Sequence, residues 1–438
     1  MRRAGLLAGP AGWALALLTG VNLLNYLDRY VVAAVAEGLR RDLALSDLQL
    51  GLLPTAFIVV YTLGAPVFGA LGDRRRRPPL LGLGVALWSA ATALSAAAGS
   101  FGALLAARAT VGVGEAAYGT ISPGLLADHF EPRRRGRAFA LFFMAIPVGA
   151  ALGYVLGGVA DRLAGWRAAF LVAGLPGFGL ALAAARLPDP PRRADDGGAP
   201  PAPGPVVAAY RRLARNRGYA LVVLGYAAYT AGVGAMAFWM PPFLERVRGL
   251  GRATATTGFG AVVLATGLVG TLGGGAAADA LRRRTAAADL WLSGLTALAA
   301  APLAWIAFGA ASPAIAWPAL VAAQLFAFAS TGPVNAAIVE AVEPRDRASA
   351  MALSILAIHA LGDVPSPALV GWLSDRSSLA RAVLLVPATL VLAGTVWTLA
   401  AVRAGRATQP PLPPASPATG TRATPAAAQS SSKAAEAR

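Results

Sequence analysis

Cysteine is missing from the 438 residues and lysine occurs once, at Lys433. Without a thiol the chain can form neither disulfides nor thiolate metal sites. Charge is scarce too: 13% of residues are charged against 56% hydrophobic, well below the roughly one-quarter charged content of soluble domains, so water is not the main solvent. There is no Gly-x-Ser-x-Gly elbow in a strand-turn-helix context, no metal-ligand cluster and no phosphate loop, which leaves an enzymatic function with little support. A net charge of +17 raises nucleic acid as a partner, but such a partner needs basic side chains along a groove or stripe. Here the arginines sit between apolar runs, and no nucleic acid is expected. The preference for arginine and alanine is in keeping with a GC-rich bacterial genome.

What is present is a series of apolar runs, each long enough to cross a roughly 30 Å hydrocarbon core at 1.5 Å per residue. Charges, glycines and prolines place twelve spans near 13–36, 48–72, 80–98, 102–128, 138–160, 167–186, 218–243, 255–278, 288–308, 315–341, 349–374 and 382–403. Putting the N-terminus in the cytoplasm gives the cytoplasmic segments 27 basic residues and the outer ones 9, so the positive-inside bias selects that orientation, with both termini cytoplasmic. Arg2 and Arg3 before an apolar stretch resemble a secretory signal, yet Asp28 and Arg29 interrupt the stretch and eleven more spans follow, so an uncleaved first span is expected. The expectation is an all-α membrane protein in two six-helix halves, 1–186 and 218–403. A Pro/Gly-rich cytoplasmic linker over 187–217 ends in a basic, interfacial stretch, and a disordered tail covers 404–438.

The halves echo each other. Gly69 is followed four residues on by Asp73 and then by Arg74 to Arg77, and Gly275 by Asp279 and then by Arg282 to Arg284. Glu131-Pro132-Arg133, leading to Arg135 and Arg137, precedes the fifth span as Glu343-Pro344-Arg345 precedes the eleventh, and Asp161-Arg162 recurs as Asp375-Arg376. The offsets are 206, 212 and 214 residues. Two facing six-helix repeats are the architecture of a rocking carrier. The glycine-to-aspartate runs, with Arg74, Arg283, Arg135 and Arg137, read as conformational clasps that lock one face shut, or as arginine clusters that only fix topology.

Ionisable groups inside spans carry the most information, because each costs about 2.5–3.5 kcal/mol at a helix centre. Arg108 and Glu115 lie two turns apart on one face of the fourth span, flanked by Gly112 and Gly114, which implies a salt bridge or a water-filled cavity. Asp28 and Arg29 fall about 22 Å into the first span, where they serve as a proton-responsive pair or as an outer cap. His359 and Asp363 share a face of the eleventh span; His129 and Glu340 sit near cytoplasmic ends, where a structural or snorkelling role is expected. Gly149, Gly153 and Gly157 read as close helix packing.

On these residues the chain resembles the major facilitator superfamily, through the paired Gly-x-x-x-Asp loops and the fourth-span segment opening at Arg108. Within it the chain resembles the Spinster family of lysolipid and sphingolipid transporters. That narrower likeness rests on Asn25-Tyr26-Leu27-Asp28-Arg29-Tyr30, on Val111 to Ala116 with Tyr118, Pro123 and Asp128, on Ala145 to Gly149, and on His359 to Asp363 with Ser366 and Pro367. The resemblance implies that Asp28 and Glu115 exchange protons, the only coupling agent expected since no cofactor is implied. It further implies that Arg29 and Arg108 pair with these carboxylates or with a substrate phosphate, and that Tyr26, Tyr118, His359 and Asp363 serve substrate or ion pairing. A lysolipid then lies between the halves of a monomer embedded among membrane lipids of a bacterial inner membrane. Two other readings stay open, a carrier of a polar metabolite or drug on the same fold and a non-transporting membrane receptor. The unbroken Arg74 to Arg77 run departs from the superfamily loop, where glycine and lysine are commonly interspersed, and leaves the direction of coupling open.

Overall fold

The computed structural model describes Leu6, residues 9–191 and residues 206–407. The tail beyond 407 and the linker residues 192–205 therefore lie outside the described residues. Among those described, the chain is helical throughout. The first half runs α1 (Gly9–Ala34), a short α2 (Ala36–Asp42), α3 (Asp47–Arg74), α4 (Arg77–Ser95), α5 (Phe101–His129), α6 (Pro132–Ala164) and α7 (Trp166–Ala185). The linker contributes α8 (Val206–Arg215), and the second half continues with α9 (Arg217–Arg246), α10 (Arg252–Arg282) and α11 (Ala288–Gly309). Each remaining span is in two pieces, α12 (Pro313–Ala329) with α13 (Thr331–Glu340), α14 (Arg347–Ile358) with α15 (Pro365–Arg376), and α16 (Leu379–Ala382) with α17 (Leu385–Ala407).

Twelve spans result, in the places that hydropathy assigned. Ten are long and apolar enough to cross a membrane by length and composition alone. The other two, α1 and α5, hold the ion-paired charges described below. Helix starts follow ordinary capping: Ser46 accepts from the Gln49 amide while the Gln49 side chain returns to the Ser46 amide, and Ser100, Asn216 and Ser378 accept from amides three residues on. The basic α8 packs beside α14, where the Arg212 guanidinium donates to Asp346 at 2.7 and 3.2 Å.

Within the first half, α1 and α6 touch backbone to backbone. A Cβ on Gly149 would sit 2.5 Å from the Leu23 carbonyl oxygen, and one on Gly153 2.5 Å from that of Leu27. Only glycine permits this approach, so the four-residue glycine repeat is a packing seam. The eleventh span widens at its middle, where the Val364 amide donates to the His359 carbonyl five residues back at 3.1 Å. Pro365 follows and offers no amide. This single wide turn carries His359 and Asp363, and such bulges are frequent at functional sites.

The halves meet along α3 with α15 and along α6 with α10. Toward the arginine-poor face they are bolted together. Arg246 donates to Glu37 and, at 2.6 and 2.9 Å, to Asp47; Arg252 donates to Asp161 at 2.7 Å, and Arg41 to Glu245 at 2.9 Å. Ser374 donates to Asp47 at 2.5 Å, while the amides of Asp47 and Leu48 both donate to Asp375 at 2.9 Å. At the arginine-rich ends the picture differs: a Cβ on Gly69 or Gly275 would meet nothing within 4 Å. These bonds between the halves thus lie toward the arginine-poor face, and Gly69 and Gly275 have open space beside them.

Removing Arg246 of the second half leaves Glu37 and Asp47, both of the first half, without their shared cation across the seam. Arg246→Ala is expected to shift the population toward opening at the arginine-poor face. Spin labels on Leu163→Cys and Thr254→Cys, free of background because the chain has no other cysteine, then report a longer mean distance than in the otherwise unaltered protein; an unchanged distance distribution refutes the gate.

Candidate functional site

Helices α1 and α5 run antiparallel, and their charges pair crosswise. The Arg29 Nε donates to the Glu115 Oε2 at 2.7 Å, and the Arg108 Nη1 approaches both Asp28 oxygens at 3.3 and 3.4 Å. Thr92 on α4 donates its hydroxyl to Asp28 at 2.9 Å. Arg108 and Glu115 do not pair with each other, because seven residues separate them by about 10 Å along one helix axis. Asp28 is only 1% exposed, so it does not cap a helix at the membrane surface.

The four groups differ in what they face. The side chains of Asp28, Arg108 and Glu115 are at most 2% exposed, whereas that of Arg29 is 24% exposed. Arg29 is therefore the charge of this cluster presented to solvent. Its guanidinium carbon stands 5.0 Å from the ring centres of Tyr26, Phe57 and Tyr61, a cage that replaces part of the lost hydration through cation–π contacts. Pairing is incomplete: Glu115 Oε1 and Arg108 Nε are buried with no hydrogen-bond partner, which marks room for a proton, a water or a rearranged contact.

Arg29 opens onto a cavity of about 150 Å³ between the halves. Tyr26, Phe57 and Tyr61 form one wall, and Phe238, His359 and Asp363 the other. The His359 Nδ1 lies 3.0 Å from an Asp363 oxygen, and both side chains are 23% exposed. The chamber thus sets a guanidinium on the first half against a carboxylate–imidazole pair on the second, with aromatic surface between. Tyr118 is elsewhere: its hydroxyl donates to the Leu18 carbonyl at 2.8 Å and its ring meets Trp88 edge-on at 5.6 Å. Its place is packing within the first half.

The clasp segments form networks inside each half. Arg77, rather than Arg74, is the hub of the first: it donates to Asp128 at 2.5 Å, to Asp189 at 2.8 Å and to the Pro190 carbonyl at 2.9 Å. Arg135 ties down the end of α5 by donating to the Ala127 and Phe130 carbonyls at 3.0 and 3.2 Å; Asp73, Arg74 and Arg137 are exposed. In the second half Arg282, one residue before the expected Arg283, donates to Asp279 at 2.5 Å and to Asp289 at 2.7 and 2.9 Å. Sequence reasoning did not pick out Thr92, a small hydroxyl in an apolar run that nothing local distinguishes. It also passed over Arg246, Arg252, Glu37 and Asp47, whose loop-end positions suggest only solvated surface.

Comparison with known proteins agrees with this architecture. Residues 18–359 match the model of the Major Facilitator Superfamily. Spinster homolog 3 of Danio rerio is 37% identical over 390 residues, covering 83% of this chain and 77% of its own length. A sphingosine-1-phosphate transporter of the same species is 31% identical, covering 89% of this chain and 84% of its own. Among solved structures, a bacterial homolog of the human lysosomal transporter Spinster, in an inward-facing and unoccupied conformation, superposes with a TM-score of 0.78 at 24% identity over 90% of this chain and 95% of its own. A nucleoside transporter superposes at 0.69 with 12% identity, over 89% of this chain and 98% of its own, so the fold alone does not select a substrate. The sequence relatives do narrow the family: the chain belongs to the major facilitator superfamily and, within it, to the Spinster family of membrane transporters.

Proposed function

We propose that the chain is a proton-coupled secondary carrier of lysophospholipids or related amphipathic lipids, acting as a monomer by alternating access in a bacterial inner membrane with both termini in the cytoplasm. The observation that carries this reading is Arg29, exposed to the chamber on one side and held by Glu115 on the other. A substrate phosphate entering the chamber competes with Glu115 for the same guanidinium through charge-assisted hydrogen bonds. A proton arriving on Glu115 removes the carboxylate charge and releases Arg29 to the phosphate. Asp28 and Arg108 stand directly behind and change partners in the same way, so proton and substrate charge alternate at one place.

The opposite wall supplies complementarity. Asp363, with His359 beside it, suits a cationic or hydroxyl part of a headgroup, while Phe57 and Phe238 offer apolar surface to the adjoining chain. At about 150 Å³ the chamber accommodates a headgroup, and the hydrocarbon extends along the apolar walls. The relative named as a sphingosine-1-phosphate transporter supports an amphipathic, phosphate-bearing substrate. A polar metabolite is the competing substrate class, since the charged chamber suits it equally. Competition binding separates the two: lysolipids displace one another from the purified carrier, whereas soluble organic anions do so only if the metabolite reading holds.

In proteoliposomes with an imposed pH gradient, Glu115→Gln and Asp28→Asn are expected to reduce gradient-dependent lysolipid uptake to background. Undiminished uptake by both variants refutes the coupling assignment. Stability supplies a separate check on the geometry. Arg108→Ala strands Asp28 as a buried, unpaired charge and is expected to destabilise the protein by about 3–5 kcal/mol. Removing Asp28 as well relieves that penalty, so the double variant melts at a higher temperature than Arg108→Ala alone. Strictly additive melting shifts are incompatible with the pairing.

A further inference from the structure

The two halves treat one corresponding corner oppositely. In the first half Arg77, at the start of α4, is covered by the chain that follows α7: Asp189 and Pro190 both bond to it, and Leu187 is 3% exposed beneath them. An offset of 212 residues, that of the paired Glu-Pro-Arg segments, places Asp289 of α11 where Arg77 stands and Glu340 of α13 where Asp128 stands. Arg403 on α17 lies two residues beyond the counterpart of Asp189. Arg77 and Asp189 are thus replaced by groups of opposite sign, while Asp128 and Glu340 are alike.

The second corner is also open. A cavity of about 560 Å³ occupies it, with Arg217, Asp289, Glu340 and Arg403 around its rim and Leu221 and Leu290 as apolar wall. Arg282 already neutralises Asp289 through two bonds. Among the described residues, the side chains of Arg217 and Arg403 make no hydrogen bond or ion pair, while Glu340 feels both Arg282 and Asp289 without bonding to either. Setting aside the exposed Asp279, which shares Arg282, the corner holds Arg217, Arg282 and Arg403 against Asp289 and Glu340, one positive charge in excess. No side chain caps the α11 start at Ala287, and Asp289 stands in its first turn, where it already faces the positive helix end. Among the described residues, the second half has no counterpart of the anionic Asp189 that the first half supplies from its own chain.

We propose that this corner is a second, non-transport site that binds a phosphate group, with Arg217 and Arg403 as its cations. The site lies at the arginine-rich ends of α9, α11, α13 and α17, the depth at which phospholipid headgroups of that leaflet stand, and basic pockets between spans at this level hold anionic headgroups. The shared chemistry is a phosphate ester or free phosphate, and the apolar wall favours the lipid as its source. Glu340 opposes any such anion and sets an upper limit on affinity.

The test uses the full chain purified in a non-ionic detergent and follows thermal stabilisation against ligand concentration. Dihexanoyl phosphatidylglycerol is expected to stabilise the protein saturably, and dihexanoyl phosphatidylcholine to do so far less. The double variant Arg217→Gln/Arg403→Gln weakens the apparent affinity about tenfold, the effect of losing roughly 1.4 kcal/mol of charged contact, while Arg29→Gln in the central chamber leaves it unchanged. Inorganic phosphate acting alone, with the same dependence on both arginines, identifies free phosphate as the source and equally supports the site. Equal stabilisation of the double variant and the unaltered protein, or equal stabilisation by the two lipids, overturns the proposal. Should the double variant fail to fold, Glu340→Gln must bind phosphatidylglycerol more tightly, and an unchanged affinity there overturns it as well.

Discussion

Two arginines and two carboxylates, crossed between α1 and α5, are the constraint on which the rest of the molecule depends. Charges with this little access to water persist only if each finds a partner, and here each arginine finds its carboxylate on the neighbouring helix. The match is deliberately short of complete, with one oxygen of Glu115 and one nitrogen of Arg108 left over. A fully satisfied quartet would be inert. A quartet with spare valence has room to exchange one partner without stranding the others, and the proposed coupling rests on that property.

Around this cluster the fold separates what must be stiff from what must move. The glycine seam of α1 on α6 brings backbones into direct contact, so the helix that carries Asp28 and Arg29 is fixed within its half. Contacts between halves are of another kind, concentrated in charged bonds toward the arginine-poor face, while Gly69 and Gly275 have open space beside them. The proposed motion of one half against the other would therefore exchange polar contacts at a seam and leave each interior intact. The wide turn at His359 to Asp363 sits where the second half meets the chamber, so that wall can adjust while both ends of its span stay packed.

Much of this was legible in the sequence, for reasons that can be named. The spans follow from apolar length, and the repeat from paired glycine-to-aspartate runs. Asp28, Arg29, Arg108 and Glu115 stand out because charges at those depths need a reason to be there. The crosswise pairing was not legible: spacing along a helix says which residues share a face, not which neighbouring helix that face meets. The same limit explains the clasps. One residue rotates a helix position by about 100°, enough to make Arg282 the bonding partner and leave Arg283 exposed. Tyr118 was misleading because an aromatic beside a charged cluster has the same sequence signature whether its ring lines a chamber or fills a core. The seam charges Arg246, Glu37 and Asp47 were hidden by their positions at helix ends, where solvated surface is the ordinary expectation.

Asp47 has one consequence for how the protein behaves as a barrier. As the first residue of α3, it accepts from Arg246 on α9 and from Ser374 on α15, and its own amide donates to Asp375. Three helices are thus knotted at a single position. Loss of any one contact lets water reach the others, so the three bonds depend on one another. For a membrane barrier, such a joint gathers the closure of one face into a single side chain that α9 and α15 both hold.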